Sequence, residues 1–196
     1  IAAPDINTAE QEMRWFVEAN GSMKSATGKP ANLCVKPGEK CGIPHEYGST
    51  GFGVYHASLI AFKHLNFDKN INIAIEGFGN VGSFVAKYLY DDGYKIVAVS
   101  DSKGLVYNKN GLDYKKLIMI KKKGSVINYK PAKIMPSNKI ISLDVDVLIT
   151  AAIPNLITNE NVNKIKAKLI VEGSNIPMTI DIEERLHKKG ILVIPD

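Results

Sequence analysis

Ile71-Asn72-Ile73-Ala74-Ile75-Glu76-Gly77-Phe78-Gly79-Asn80-Val81-Gly82 is the stretch that decides the fold. An apolar run of strand character meets G-x-G-x-x-G, and Ser83-Phe84-Val85-Ala86-Lys87-Tyr88-Leu89 continues with helical spacing. A second apolar run, 95–100, ends at Asp101, 19 residues past Gly82. Gly77 permits a tight turn out of the strand. Gly79 lets backbone approach a pyrophosphate, and Gly82 lets the helix pack close to the sheet with its N-terminus facing the anion. An acid at the position of Asp101 can hydrogen-bond a ribose 2′-hydroxyl. The pattern therefore predicts a dinucleotide site built on the backbone of Gly77, Phe78, Gly79, Asn80, Val81 and Gly82. A ligand-free packing turn is the alternative. It accounts for Gly77 and Gly82 but gives no reason for Gly79.

Outward from this block the rhythm is regular. Strands are expected over 71–76, 95–100, 145–149, 169–171 and 191–194, and helices over 54–65, 80–91, 112–122 and 180–189. A short helix is expected over 159–165, and a loop carrying Pro131 and Pro136 precedes the third strand. Short apolar strands alternating with helices predict an α/β fold with a doubly wound, mostly parallel, Rossmann-like sheet. Upstream, a helix over 10–17 follows Thr8, a plausible cap. A polar stretch over 20–29 leads into a Gly- and Pro-marked loop over 30–53. Residues 1–42 do not share the rhythm and read as the remnant of a preceding domain with its linker. Residues 43–196 read as the dinucleotide-binding domain. The first residue is Ile1, and the chain is expected to be a piece of a longer polypeptide.

Composition narrows the classes. Of 196 residues, 45% are hydrophobic and 23% charged, an ordinary globular balance. No apolar run reaches the roughly 18 residues that span a bilayer, and no basic-then-apolar signal pattern opens the chain, so no membrane role is expected. The net charge is +5, but only Arg14 and Arg185 among 25 basic residues are arginine, the residue favoured for bidentate phosphate contacts. Lys121-Lys122-Lys123 suits a helix C-terminus, so nucleic acid is not the expected partner. The two cysteines, Cys34 and Cys41, fit no zinc spacing, and no metal site is expected. They read as buried or incidental thiols in a reducing cytoplasm.

Seven ordered motifs carry a resemblance. They are Ala3-Pro4-Asp5-Ile6-Asn7-Thr8, Thr27-Gly28-Lys29-Pro30, Ser49-Thr50-Gly51-Phe52-Gly53, residues 77–82, Val99-Ser100-Asp101-Ser102, Ala151-Ala152 with Asn155, and Glu172-Gly173-Ser174-Asn175. Together they resemble glutamate dehydrogenase, from residue 3 to residue 196. The resemblance implies NAD(P)-dependent oxidative deamination of L-glutamate to 2-oxoglutarate and ammonia, and the reverse. It also implies a substrate domain, a cofactor domain and a homo-oligomer, usually a hexamer. This chain would carry the end of the first domain and nearly all of the second. The family's substrate lysines would lie upstream, and part of its glutamate pocket downstream. The isolated chain is therefore expected to be inactive. Two local departures stand out: Glu46, where the family often has arginine, and Ser174, where it usually has alanine.

The resemblance also implies roles. Asp5 matches a catalytic aspartate, a carboxylate able to move a proton on and off nitrogen beside the hydride centre. The competing reading is that Asp5, Asn7 and Thr8 cap the following helix. Thr50 matches a threonine that holds the nicotinamide carboxamide, or else it is a helix N-cap. Ala151 and Ala152 would let the cofactor lie against backbone, or serve tight packing. Asn175 matches an asparagine near the nicotinamide ribose, or is a turn residue. Asp101 alone favours NAD, because a carboxylate repels a 2′-phosphate. Ser102 and Lys103 could instead greet that phosphate, and NADP or dual use is favoured over strict NAD. Two readings stay open beside glutamate: a leucine, phenylalanine or valine dehydrogenase, and a non-catalytic dinucleotide-binding module.

Overall fold

The computed structural model describes residues 1–5, 8–36 and 40–196. The chain forms two compact units, Ile1–Ser49 and Thr50–Asp196.

The first unit holds helix α1 (Glu10–Asn20), whose buried Met13 and Val17 pack with Ala26. Short 3₁₀ turns lie at Met23–Ser25 and His45–Tyr47. A parallel bridge joins Ala2 to Ala26. The cap of α1 differs from expectation. Ala9 is its N-cap, and the Glu12 carboxylate accepts from the Ala9 N–H at 2.8 Å. The Thr8 hydroxyl turns back instead, accepting from the Asp5 N–H at 2.7 Å. The cysteines also differ. Cys34 and Cys41 form a disulfide, so they are not incidental thiols, and neither is buried.

In the second unit seven strands form one sheet: β1 (Asn72–Glu76), β2 (Lys95–Asp101), β3 (Gly104–Tyr107), β4 (Lys133–Met135), β5 (Val147–Thr150), β6 (Leu169–Glu172) and β7 (Leu192–Ile194). The order is β4-β3-β2-β1-β5-β6-β7. Pairing is parallel from β2 through β7, while β3 and β4 are antiparallel. Each central strand sends alternate side chains to opposite faces. Ile73, Ile75, Val147, Ile149 and Leu169 join one core with α2 (Ser49–His64), α3 (Asn80–Asp91) and α4 (Tyr114–Lys122). Ala74, Leu148 and Ile170 join another with α5 (Ile180–Lys188), through Ile182 and Leu186. This is the expected doubly wound, mostly parallel sheet. After β2 the chain adds β3 and β4 outward, then crosses to the far side of β1. The carboxyl ends of β1 and β5 thus form a topological switch point, where such sheets carry their ligand crevice.

Element bounds moved for local reasons. Helix α2 begins at Ser49, inside the stretch expected to be loop, so Thr50 lies in its first turn and is not its N-cap. Helix α4 begins after Asp113, whose side chain accepts from the Lys116 N–H, while Leu112 stays bonded to Ile96 of β2. The expected helix over 159–165 is only a 3₁₀ turn, Val162–Lys164. Strand β5 starts two residues late because Asp146 is taken up in anchoring: its side chain accepts from the Asn72 N–H and its carbonyl from the Lys168 N–H. Strands β3 and β4 were not foreseen. The first is joined to β2 by a two-residue turn, Ser102-Lys103, and the second is a three-residue edge strand between two prolines, a position where proline is tolerated.

Candidate functional site

The turn after β1 assigns each glycine a different reason. Gly77 has φ +88°, and a Cβ there would stand 2.6 Å from the Ala152 Cβ. A Cβ on Gly82 would stand 1.8 Å from the Gly77 carbonyl oxygen. Both residues are therefore fixed by the chain itself. Gly79 is not: its φ is −91°, and a Cβ there meets nothing within 4 Å. The absence of a side chain leaves open space at the start of α3, whose first turn has no side-chain cap. Free backbone N–H groups and the helix dipole there favour an anion. Phe78 contributes backbone only, since its ring is buried and packs toward Tyr114. Val81 helps wall the turn against Gly173. Asn80 opens α3 with its buried Oδ1 unpartnered.

Two cavities open along the carboxyl edge of the sheet. One, of about 220 Å³, is lined by Gly77, Asp101, Ser102, Ala152 and Asn138 among others. The second, of about 510 Å³, is lined by Thr50, Glu172, Gly173, Ser174 and Asn175 among others. The structure thus brings the residues singled out in the sequence into two groups. Asp101, Ser102 and Ala152 share a wall with Gly77, and Thr50 faces the same space as Asn175. Ala151 and Ala152 serve packing as well, because both lie against the Gly77 backbone.

The carboxylates at this edge differ in electrostatics. Asp101 reaches the cavity wall, but its oxygens are held by four donors from within the domain. The Lys121 ammonium donates at 2.8 Å and the Val126 N–H at 3.0 Å to Oδ2; the Ser125 hydroxyl and the Lys103 N–H each donate at 2.9 Å to Oδ1. Burial alone would raise its pKa. The Lys121 contact first, then the three other donors, outweigh burial and hold it at about 2. Glu76, buried at the end of β1, accepts from the Ala151 and Ala152 N–H groups at 3.1 Å each. Burial nevertheless raises its pKa. Glu172, at the end of β6, is pushed up to about 7, mainly by burial. Neither glutamate was singled out in the sequence for such a role. The only available signal was an acid closing an otherwise apolar strand.

Asp5 lies exposed in the first unit, and its backbone bonds with Thr8. It does not cap α1; Asn7, the other residue in that reading, lies outside the described residues. Asn175 is exposed and followed by Ile176 at φ +46°, a left-handed conformation that a β-branched residue rarely adopts. Backbone strain of this kind clusters at functional sites.

The class that fold and turn define is the α/β domain with a doubly wound, mostly parallel sheet and a glycine-rich first crossover. Within that class, the chain belongs to the Glutamate/Leucine/Phenylalanine/Valine dehydrogenase family, whose model matches residues 41–196. It is 41% identical over its whole length to a glutamate dehydrogenase of Aeropyrum pernix and 42% identical to an NADP-specific glutamate dehydrogenase of Saccharolobus shibatae. In each case it covers 47% of the relative. The chain thus spans about half the length of the curated relatives it matches. Among solved structures, it superposes on the hetero-hexameric glutamate dehydrogenase of Thermus thermophilus with a TM-score of 0.82 at 26% identity, covering 100% of this chain and 46% of that one. Against the glutamate dehydrogenase of Peptoniphilus asaccharolyticus the TM-score is 0.73 at 32% identity, with the same coverage.

Proposed function

We propose that this chain is the dinucleotide-binding portion of an NAD(P)-dependent glutamate dehydrogenase, which interconverts L-glutamate with 2-oxoglutarate and ammonia. The observation that carries the reading is Gly79. Among the described residues no atom stands within 4 Å of a Cβ placed there, so we infer that the requirement comes from a ligand approaching the backbone. The dinucleotide supplies a hydride acceptor or donor. The turn over 77–82 holds its pyrophosphate on the free amides of α3. The space at Ser102 and Ala152 takes the adenosine end, and Thr50 and Asn175 take the nicotinamide end, with Ala151 flooring the path between them. Asp5 acts as the proton carrier at the substrate nitrogen.

For the cofactor, NADP is favoured. The Asp101 charge is already matched by Lys121 and three further donors, so it opposes a 2′-phosphate less than a free carboxylate would. Ser102 and Lys103 form the tip of the adjoining hairpin. The NADP-specific enzyme of Saccharolobus shibatae supports this choice. A hexamer is the proposed assembly, supported by the Thermus relative. The cytoplasm is the proposed setting. Its support from free thiols falls with the Cys34–Cys41 disulfide, and among the described residues no helix is long and apolar enough to cross a membrane.

The test is fluorescence titration of the full-length protein with NADPH and NADH, beside a Gly79→Val variant. Saturable binding, tighter for NADPH and lost in a normally folded Gly79→Val, is expected. Equal binding by the variant would return the turn to a packing role. Faster turnover of branched 2-oxo acids than of 2-oxoglutarate would move the substrate to another branch of the family.

A further inference from the structure

Thr150 of β5 and Glu172 of β6 are register partners at the carboxyl edge of the sheet. Among the described residues, four buried side-chain polar atoms lack a hydrogen-bond partner, and three of them gather here: Thr150 Oγ1, Glu172 Oε1 and Ser174 Oγ. The residues are 0%, 5% and 6% exposed. Buried polar atoms are nearly always bonded, so three orphans at one strand end call for a missing partner. Glu172 and Ser174 line the 510 Å³ cavity with Thr50 and Asn175.

We propose that Glu172 and Ser174 bind the nicotinamide end of the dinucleotide through its carboxamide, a group that both donates and accepts hydrogen bonds. The proposal rests on the reading under Proposed function and adds Glu172 as a binding residue whose protonation sets affinity. A neutral carboxylic acid offers an O–H donor and a carbonyl acceptor, whereas a carboxylate only accepts. The surroundings favour the neutral form. Burial is the main cause, and the charged groups facing Glu172 are the carboxylates of Glu183 on α5 and Asp196 beyond β7. The Asp196 N–H donates to Glu172 Oε2 at 3.3 Å and lowers the pKa by more than either of those charges raises it, though by less than burial does. From β5 it meets uncharged Thr150, and from α2 the cavity wall is Thr50, Gly53, Val54 and Ala57.

The test is calorimetric titration of the full-length protein from pH 5.5 to 9 with two ligands. One is NADPH. The other is 2′-phospho-ADP-ribose, which carries the same phosphates but no nicotinamide. The expected result is that NADPH affinity, taken relative to 2′-phospho-ADP-ribose, is flat below pH 7 and falls about tenfold per pH unit above it. Glu172→Gln, which keeps the shape and stays neutral, is expected to abolish that fall. A ratio that does not change with pH in the wild-type protein would overturn the proposal, as would the wild-type slope persisting in Glu172→Gln. Failure of both ligands to bind at every pH would instead bring down the dinucleotide reading itself. The wild-type ratio needs no variant to fold.

Discussion

Replacing Asp101 by Asn separates two roles for one residue. In sequence it stands where an acid meets a ribose; in the structure its carboxylate is a buried clamp joining the β2–β3 hairpin to α4 and the turn after it. Its side chain is 5% exposed and that of Lys121 30%. A carboxylate held from its ordinary 3.8 down to about 2 contributes about 2.5 kcal/mol to the folded state. Because the folded pKa is depressed, this contribution is complete above pH 3.8 and is lost as the pH falls towards 2. Asn keeps the shape but removes the charge and turns one acceptor into a donor facing other donors. Asp101→Asn is therefore expected to cost about 3 kcal/mol at pH 7. Urea denaturation followed by circular dichroism, at pH 7 and near pH 2, measures it. The gap between variant and wild type should shrink to below about 1 kcal/mol at the acid end, where folded Asp101 is about half protonated and most of its contribution is lost. A loss under about 0.5 kcal/mol at pH 7, or the same loss at both pH values, would refute the clamp. Unchanged stability with lost dinucleotide affinity would return Asp101 to the ribose.

Other consequences are equally direct. Gly82→Ala drives a Cβ to 1.8 Å from the Gly77 carbonyl oxygen, and thermal unfolding should register a loss of about 3 kcal/mol. Ile176→Gly relieves a β-branched residue at φ +46° that is 56% exposed; a gain of about 1 kcal/mol in chemical denaturation is expected, and a loss would mean the contacts of Ile176 outweigh its strain. Glu172→Gln removes an acid whose pKa rises on folding from 4.5 to about 7. Wild-type stability should fall as pH rises between those values and level off above, so the variant gains up to roughly 3 kcal/mol at pH 8 and nothing below pH 4.5.

Much of the fold was legible because its signals are local. Alternating apolar strands and helices give a parallel sheet, and the bounds of α3, 80–91, follow from a glycine turn and a helical repeat lying within one short stretch. Strands β3 and β4 escaped notice because they are four and three residues long and add to the edge of the sheet antiparallel, outside the strand–helix rhythm. The start of α2 was misplaced because Gly51 and Gly53 read as loop. In the structure Gly51 is buried in the helix, where a Cβ would stand 2.6 Å from the Phe84 Cβ. The disulfide was missed because cysteine spacing alone does not say whether two thiols meet.

The sequence by itself determined the alternation of the parallel strands with their helices and the glycine turn, which depend on residues near one another in the chain, and the family, which ordered motifs along the chain carry. Only the tertiary structure decided the charge state of the acids that close the strands. Asp101 is drawn down by Lys121, Ser125 and Val126, groups 20 to 25 residues away. Glu172 is pushed up by burial beside Thr150, 22 residues earlier, with Asp196 adding its charge. In sequence the two are alike, each an acid ending an apolar run. They diverge because a carboxylate's pKa depends on how much water it loses and which donors replace that water, and both are set by chain segments brought together only on folding.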